Sequence, residues 1–407
     1  MINQKKENIR LHFPFFTNNK NKNVVYFDNA ATTQKPQVVI SSIVDFYNSY
    51  NSNIHRSSHQ YGALATRKYE ETRLIIQEFI SAKEKEEIVF TSGTTEGINL
   101  VANSYVKHNL EEGDIILTSP IEHHANILPW QMIAKETGAL VKNIPLNKNL
   151  QVDINQFKQL LTSRVKFIAI QQMSNITGVE QDIKKITTIA HSYNIPVLVD
   201  GAQCVAHKQI NVSELDCDFY CFSGHKVFGP TGTGILYGKI NLLKKMVPSK
   251  VGGGMVKNVL VENSTFQDLP YLLEAGTPNI GGVIGLGEAI RFISGIGFET
   301  IKKKENSLSE YLLSSLKGLN SIEMYSLEKN LSPIIAFNIG GLHHYDIATL
   351  LGENGVLIRS GELCSQPFMK HLNISGCLRV SLSFYNTCEE VDLFILALKK
   401  AVQLLKN

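Results

Sequence analysis

The sequence predicts an α/β protein: a large domain on a mainly parallel sheet sandwiched by helices, joined to a smaller α+β lobe. Three observations lead there. From about Glu86, short β-branched apolar runs alternate with longer amphipathic stretches, the rhythm of buried parallel strands with crossover helices. The 407 residues are too many for one small core. After about Glu274 the alternation gives way to two consecutive helical stretches and then mixed elements.

In chain order, the strand-like run EEIVF is followed by the helical TTEGINLVANSYVKHN, and DIILTS by HHANILPWQMIAKETG. VKFIAIQQMS precedes the amphipathic IKKITTIAHSYN, after which IPVLVDG, FYCFSGH and GILYG read as three further strands. IGGVIGLGEAIRFISGIG and FETIKKKENSLSEYLLSSLKGL are expected as helices. SPIIAFNIG, YDIATLLGENG, VLIRSG, LRVSLSFYN and a last helix from about Cys388 fit the smaller lobe. These runs set expected domains at 20–275 for the large α/β unit and at 1–19 with 276–407 for the small one.

Hydrophobic residues make up 43% and charged residues 19%, an ordinary globular balance. The net charge of +3 comes from 40 basic and 37 acidic residues with no long basic stripe, which argues against nucleic acid as a partner. No apolar run approaches the roughly 18 residues that span a bilayer, so no membrane partner is expected. The start, MINQKKENIRLHFPFF, has charges but no continuous apolar stretch, so no signal peptide is read and a cytoplasmic location is expected. Of the six cysteines, none forms a Cys-x-x-Cys pair; all but Cys364 are expected as buried, reduced thiols.

Lys226 sits in apolar company directly after Ser223, Gly224 and His225, and lysine is rarely buried unless paired or reacted. Asp200 closes the strand IPVLVDG, where it either caps the next helix or faces a ligand beyond the strand ends. An acid and a lysine on nearby strand ends suit pyridoxal phosphate. The lysine amine bonds the aldehyde and the carboxylate pairs with the pyridinium nitrogen. FTSGTTEGINL follows a strand and opens a helix, so Thr94 and Thr95 either cap that helix or bind the phosphate. Ser223 and His225 are further phosphate donors by position. His123 and His124 are adjacent, the wrong spacing for metal ligands on a helix, and no metal is expected. A flat imidazole can instead stack on a cofactor ring. Asn175 and Gln203 are strand-end amides able to bond the ring oxygen.

YFDNAATTQKP, HRSSHQYGALAT, FTSGTTEGINLVA, EHHANILPWQ, NITGV, VDGAQ, FSGHKVFGPTGTGILYG, EAGTPN and RSGELCSQPFM occur in order from about Val25 to the C-terminal helix. Together they resemble the cysteine desulfurases of the class V aminotransferase family, in particular the type II, sulfur-mobilisation group that includes selenocysteine lyases. The resemblance implies a fold-type I pyridoxal-phosphate enzyme with a seven-stranded sheet, working as a homodimer with sites at the interface. It implies Lys226 as the cofactor-bonding lysine, Asp200 at the pyridine nitrogen, Gln203 at the ring hydroxyl and His123 stacked on the ring. Thr95, Ser223 and His225, with Thr94, would hold the phosphate, and Thr277 would reach it from the partner subunit. Asn175, Ala31 and His55 would line the substrate.

Cys364 follows the strand-like VLIRS in a polar loop with Ser360, Gly361, Glu362, Ser365 and Gln366, a setting that suits an exposed, mobile segment. The resemblance makes it the nucleophile that takes sulfur from L-cysteine as a persulfide and leaves L-alanine, with His123 as its acid–base partner. L-Selenocysteine is a second substrate it admits, a sulfur-acceptor protein a further partner, and iron–sulfur cluster assembly the use of the sulfur. Arg379 and Arg359 flank the loop. A planar guanidinium grips a carboxylate with two parallel hydrogen bonds, which assigns Arg379 to the substrate α-carboxylate with Arg359 in support. The chain departs from the family's usual histidine before the cysteine: Glu362 and Leu363 stand there, and a nearby carboxylate raises a thiol pKa. A second reading, another class V aminotransferase or lyase without a persulfide, keeps Lys226 and Asp200 but does not need Cys364. GTGILYG precedes a strand and lacks the Gly-x-Gly-x-x-Gly spacing, and no Gly-x-x-x-x-Gly-Lys-Ser/Thr element occurs. Nicotinamide and P-loop readings therefore fail.

Overall fold

The computed structural model describes residues 9–326 and 331–406. Residues 1–8, part of the charged start and of the expected small-domain segment 1–19, lie outside the described residues. A short strand β1 (Val25–Tyr26) comes first. Strands β2 (Ile88–Thr91), β3 (Ile115–Thr118), β4 (Leu140–Asn143), β5 (Val165–Gln171), β6 (Val197–Asp200), β7 (Phe219–Ser223) and β8 (Gly234–Gly238) then build one seven-stranded sheet. Its order is β2-β8-β7-β6-β5-β3-β4. Every neighbouring pair is parallel except those of β8, which runs antiparallel to both β2 and β7.

The sheet is buried on both faces because its central strands are apolar at nearly every position before their carboxyl ends. In β7, Phe219 and Cys221 enter one apolar core while Tyr220 and Phe222 enter the other. Val197 and Val199 of β6 likewise oppose Leu198. Side chains alternate across a strand, so a continuous apolar run serves two helical layers at once. Only β4, an edge strand, is largely exposed, and its sequence LVKN gives little strand signal.

A hairpin of β9 (Val256–Val259) and β10 (Ser264–Phe266) leaves the large unit. The smaller sheet is antiparallel in the order β11 (Ile322–Met324), β12 (Ile334–Ile339), β15 (Cys377–Ser381), β14 (Arg359–Gly361). Beside it, β13 (Val356–Leu357) pairs in parallel with β1. Helices Phe298–Lys317, His344–Glu353 and Cys388–Lys406 cover this sheet around Leu312, Phe337, Val380 and Phe394.

The two cores do not change over where the expected boundaries lie. Phe13 and the helix Ile280–Ile296 pack into the core of the large sheet, whereas Val25 and Phe27 pack into that of the small one. The change falls within Phe298–Lys317, whose Ile301 faces the first core and whose Leu308 and Leu312 face the second. The reason is the composition of Ile280–Ile296. It is apolar nearly all round, and its glycines let other helices press close: a Cβ at Gly285 would stand 2.8 Å from Ile43, and one at Gly287 2.5 Å from Thr72. Among the described residues no single helix is long and apolar enough to cross a membrane; this helix and the next pass only together, bent by 77°. Four cysteines are buried as expected, but Cys388 is exposed, because it precedes the first core-facing residues of its helix, Glu390 and Val391.

Behind the sheet, His191 ties its helix (Ile183–His191) to the sheet, bonding Asp218 through Nε2 at 2.8 Å and Asp216 through Nδ1 at 3.1 Å. The Asp218 hydrogen bond, opposed by burial, raises the His191 pKa above its ordinary value. A raised folded-state pKa stabilises fully below the unfolded value of about 6.5 and ceases to do so as pH rises through the folded value. The His191→Gln variant is therefore expected to lose on the order of 1 kcal/mol at mildly acidic pH and progressively less at alkaline pH, measured by denaturant unfolding.

Candidate active site

The carboxyl ends of β5, β6 and β7 open onto a cavity of about 330 Å³. Register explains what gathers there: Gln171 of β5 lies beside Asp200 of β6, and Asp200 beside Cys221 of β7, so Asp200 and Ser223 project from the same rim. The chain turns at Gly224–Lys226, directly after β7, and puts Lys226 into the cavity wall. Burial lowers the Lys226 pKa to about 8, against the pull of the Asp200 carboxylate and with a further push from Arg379. Burial raises that of Asp200, opposed by Lys226 and by the Ala202 N–H that donates to its Oδ1 at 2.9 Å.

At one end of the cavity, the helix Thr94–Val101 begins. Thr94 N donates to Ser223 Oγ at 2.8 Å, and the two hydroxyls are also 2.8 Å apart. The start of β8 approaches the residue before this helix so closely that a Cβ at Gly234 would stand 2.4 Å from Gly93 Cα. Thr95 and His225 complete this end. Burial, reinforced by Lys226 and Lys35, lowers the His225 pKa to about 4. The backbone carbonyl of His225 accepts from Thr33 N at 3.1 Å, Thr32 Oγ1 at 3.1 Å and Lys35 Nζ at 2.9 Å, which fixes the turn before Lys226.

His123 and Asn175 form the side towards the small lobe. His123 Nδ1 accepts from Ala125 N at 3.1 Å, so in the neutral ring the proton is on Nε2. Burial, followed by Lys226, His124 and Arg379, lowers its pKa to about 4. Beneath it lies Glu122, fully buried, bonded to Ser119 Oγ at 2.6 Å and Asn126 Nδ2 at 2.7 Å, with its pKa pushed up by burial to about 8. Gln203 and Ala31 also line the cavity; the Gln203 amide donates to Ala30 O at 2.9 Å.

The loop after β14 brings Cys364, which is exposed as expected, to the cavity mouth. Its flanks are anchored. Leu363 is buried among Ile121, Ile176 and Phe368, and Asn175 Nδ2 donates to Leu363 O at 2.9 Å. His124 N donates to Cys364 O at 2.8 Å, and Ser365 Oγ to Glu122 O at 3.1 Å. These bonds hold Leu363 and Cys364 at left-handed φ values of 53° and 56°, a conformation that disfavours both residue types. Glu362 turns along the loop, its Oε2 accepting from Gln366 Nε2 at 2.6 Å. Arg379 and Arg359 line the same wall.

Of the residues singled out from sequence, His55 and Thr277 are not in this cavity. They line another, of about 490 Å³, with Tyr271 and Gly254 beside the β9–β10 hairpin. Sequence reasoning missed Asp28, which bonds both arginines, and the buried Glu122; each lies inside one of the motifs above, at a strand end or beside a histidine, but without a spacing that names a role.

An amine without a hydrogen-bond partner among the described residues, a carboxylate beside it and a hydroxyl-lined helix start at the far end suit the expected cofactor. Comparisons point the same way. The chain matches the Aminotransferase class-V family over residues 25–394. It is 46% identical over 377 residues to a probable cysteine desulfurase of Halalkalibacterium halodurans, covering 93% of each chain. It is 42% identical over 401 residues to a cysteine desulfurase of Escherichia coli, covering 98% of each. Among solved structures it resembles the cysteine desulfurase CsdA of Escherichia coli, with a TM-score of 0.91 at 39% identity over 97% of this chain and 98% of that one. The apo cysteine desulfurase of Thermococcus onnurineus gives 0.92 at 36%, over 97% of each. On this architecture, sequence and site, the chain belongs to the class-V aminotransferase family.

Proposed function

We propose that this chain is a pyridoxal-phosphate-dependent cysteine desulfurase. It converts L-cysteine to L-alanine and keeps the sulfur as a persulfide on Cys364. The observation that carries the reading is that Lys226 and Cys364, a depressed amine and an exposed thiol on separate lobes, face one cavity together with Arg379. An aminotransferase or simple lyase has use for the first but not for the second.

Lys226 would bond the cofactor aldehyde, Asp200 would pair with the pyridine nitrogen and Gln203 with the ring hydroxyl. Thr94, Thr95, Ser223 and His225 would hold the phosphate, and His123 would stack on the ring. When bound, pyridoxal phosphate supplies an electron sink next to the substrate Cα. Arg379, supported by Arg359, orients the substrate carboxylate, with Asn175 and Ala31 against the same substrate. The Lys226 amine would take the substrate Cα proton. The Cys364 thiolate attacks the substrate Sγ: an S–S bond forms, the Cβ–Sγ bond breaks, and L-cysteine plus one thiol become L-alanine plus one persulfide. His123, neutral at physiological pH and protonated on Nε2, exchanges the proton at sulfur.

The same reading makes the enzyme a homodimer in which the second cavity, with His55 and Thr277, completes the partner subunit's site. It also includes a sulfur-acceptor protein for iron–sulfur cluster assembly, a cytoplasmic location, and L-selenocysteine as a second substrate. The large domain is 20–275 in this division and the remainder the small one, with the interpenetrating cores described above.

Mixing the purified protein with L-cysteine and a reductant should yield alanine and sulfide in equal amounts; sulfide with pyruvate instead of alanine contradicts the reading. The lowered Lys226 pKa adds a pH test. Only the neutral amine attacks an aldehyde, so the rate at which cofactor-stripped protein takes up pyridoxal phosphate should rise with pH through about 8 and then level off. A rate flat across that range contradicts a lowered amine.

A further inference from the structure

The antiparallel pairing of β14 and β15 sets Arg359 directly opposite Arg379. Like charges directly opposite on a sheet repel. The repulsion is relieved from far away in sequence. β1 runs beside β13, and two residues beyond β1 the chain makes an isolated parallel bridge, Asp28 to Ser381, on the strand that carries Arg379. Ala31 N and Thr32 N donate to Asp28 O at 3.1 and 3.3 Å and fix its backbone.

From there the Asp28 carboxylate joins the two guanidinium groups. Its Oδ1 accepts from Arg379 Nη2 at 3.0 Å and from Arg359 Nε at 3.1 Å. Its Oδ2 accepts from Arg359 Nε at 3.1 Å and Nη2 at 2.8 Å. Arg379, 3% exposed, also donates from Nη1 to Asn175 O at 2.9 Å. Its Nε is buried with no partner among the described residues, the one nitrogen of that guanidinium without a hydrogen bond. Both arginines line the cavity, whereas Asp28 stands behind them. Two positive groups and one negative group leave this arginine pair with a single surplus positive charge and an unmet buried Nε–H.

We propose that Asp28 is the built-in counter-anion of the substrate-carboxylate subsite: it fixes both arginines and limits the subsite to one net positive charge, so that free small anions do not occupy it. The inference rests on the reading of Arg379 as the carboxylate-binding residue. A pair of bare guanidinium groups in a sheltered pocket would be a strong anion site in itself. With Asp28 in place, a carboxylate gains enough only when the rest of the amino acid is held as well. Asp28 is thus a positioning and charge-setting residue.

Acetate is the probe. In the Asp28→Asn holoenzyme, which keeps the shape and removes the charge, acetate should compete with L-cysteine at least about tenfold more strongly than in the wild type. Acetate should also raise the melting temperature of this variant and not that of the wild type. Adding Arg359→Gln restores the single surplus charge while removing still more hydrogen bonds, and should return acetate resistance to near the wild-type level. A merely structural Asp28 would not be rescued in this way. Equal acetate inhibition of wild type and Asp28→Asn, or a double variant as sensitive as the single one, overturns the proposal. Should Asp28→Asn fail to fold, the double variant carries the test alone, with acetate sensitivity as the contradicting result. Arg379→Ala run alongside separates the two readings. An unchanged KM for L-cysteine in that variant removes Arg379 from the carboxylate site, whatever acetate does.

Discussion

Replacing Cys364 by alanine is expected to leave the visible absorption of the bound cofactor intact and to slow alanine formation from L-cysteine by about a thousandfold or more. Cys364 is exposed at the cavity mouth, while Lys226, Asp200 and the phosphate-end hydroxyls belong to the strand ends of the other lobe. The loop is anchored to the large lobe by hydrogen bonds at Leu363 O, Cys364 O, Ser365 and Gln366 N and by the Leu363 side chain, none of which involves the Cys364 sulfur, so removing it leaves those anchors in place. Cofactor binding and sulfur abstraction are thereby separable. Sulfide and alanine released by Cys364→Ala at the wild-type rate would favour lyase chemistry within the same fold and remove Cys364 from the mechanism.

Lys226→Ala is expected to abolish both properties together: no band near about 420 nm and turnover reduced by roughly a thousandfold or more. Lys226 is the amine that burial lowers to about 8, and it has Asp200 beside it. Its backbone position is set by the His225 carbonyl, which Thr32, Thr33 and Lys35 hold. Truncating the side chain leaves that turn intact, so loss of the band reports loss of the covalent bond. A variant that kept the band and the turnover would assign the cofactor to another amine.

Much of the site is readable in the sequence because strand ends and chemistry coincide. Asp200 and Ser223 each close an apolar strand, and Lys226 follows three residues after Ser223, so the alternation of strands and helices is enough to bring them to one rim. The Glu362 to Gln366 loop is legible as polar with Cys364 exposed, but the burial of Leu363 and Ser365 and the anchoring this gives are not. These come from Leu363 packing on Ile121 and Ile176 and from the His124 and Asn175 hydrogen bonds, contacts between segments far apart in the chain. The exposed edge strand Leu140–Asn143 lacks the apolar run that marks the central strands. The antiparallel sense of β8 depends on pairing rather than composition, and no local pattern records it. Asp28 is hidden for the same reason: its significance lies in two arginines over three hundred positions later, brought together by β13 and β15. His55 and Thr277 sit in a different cavity of the single chain, so a role at the same site requires a second copy.

The central claim is that sulfur passes from L-cysteine to Cys364. The most direct measurement is mass spectrometry of the peptide carrying Cys364 after one equivalent of L-cysteine is added to the holoenzyme without reductant, with alanine assayed in the same sample. The account predicts one extra sulfur atom on Cys364, in step with the alanine formed. Alanine formed with an unmodified Cys364, or the extra sulfur found on Cys388 instead, would contradict it.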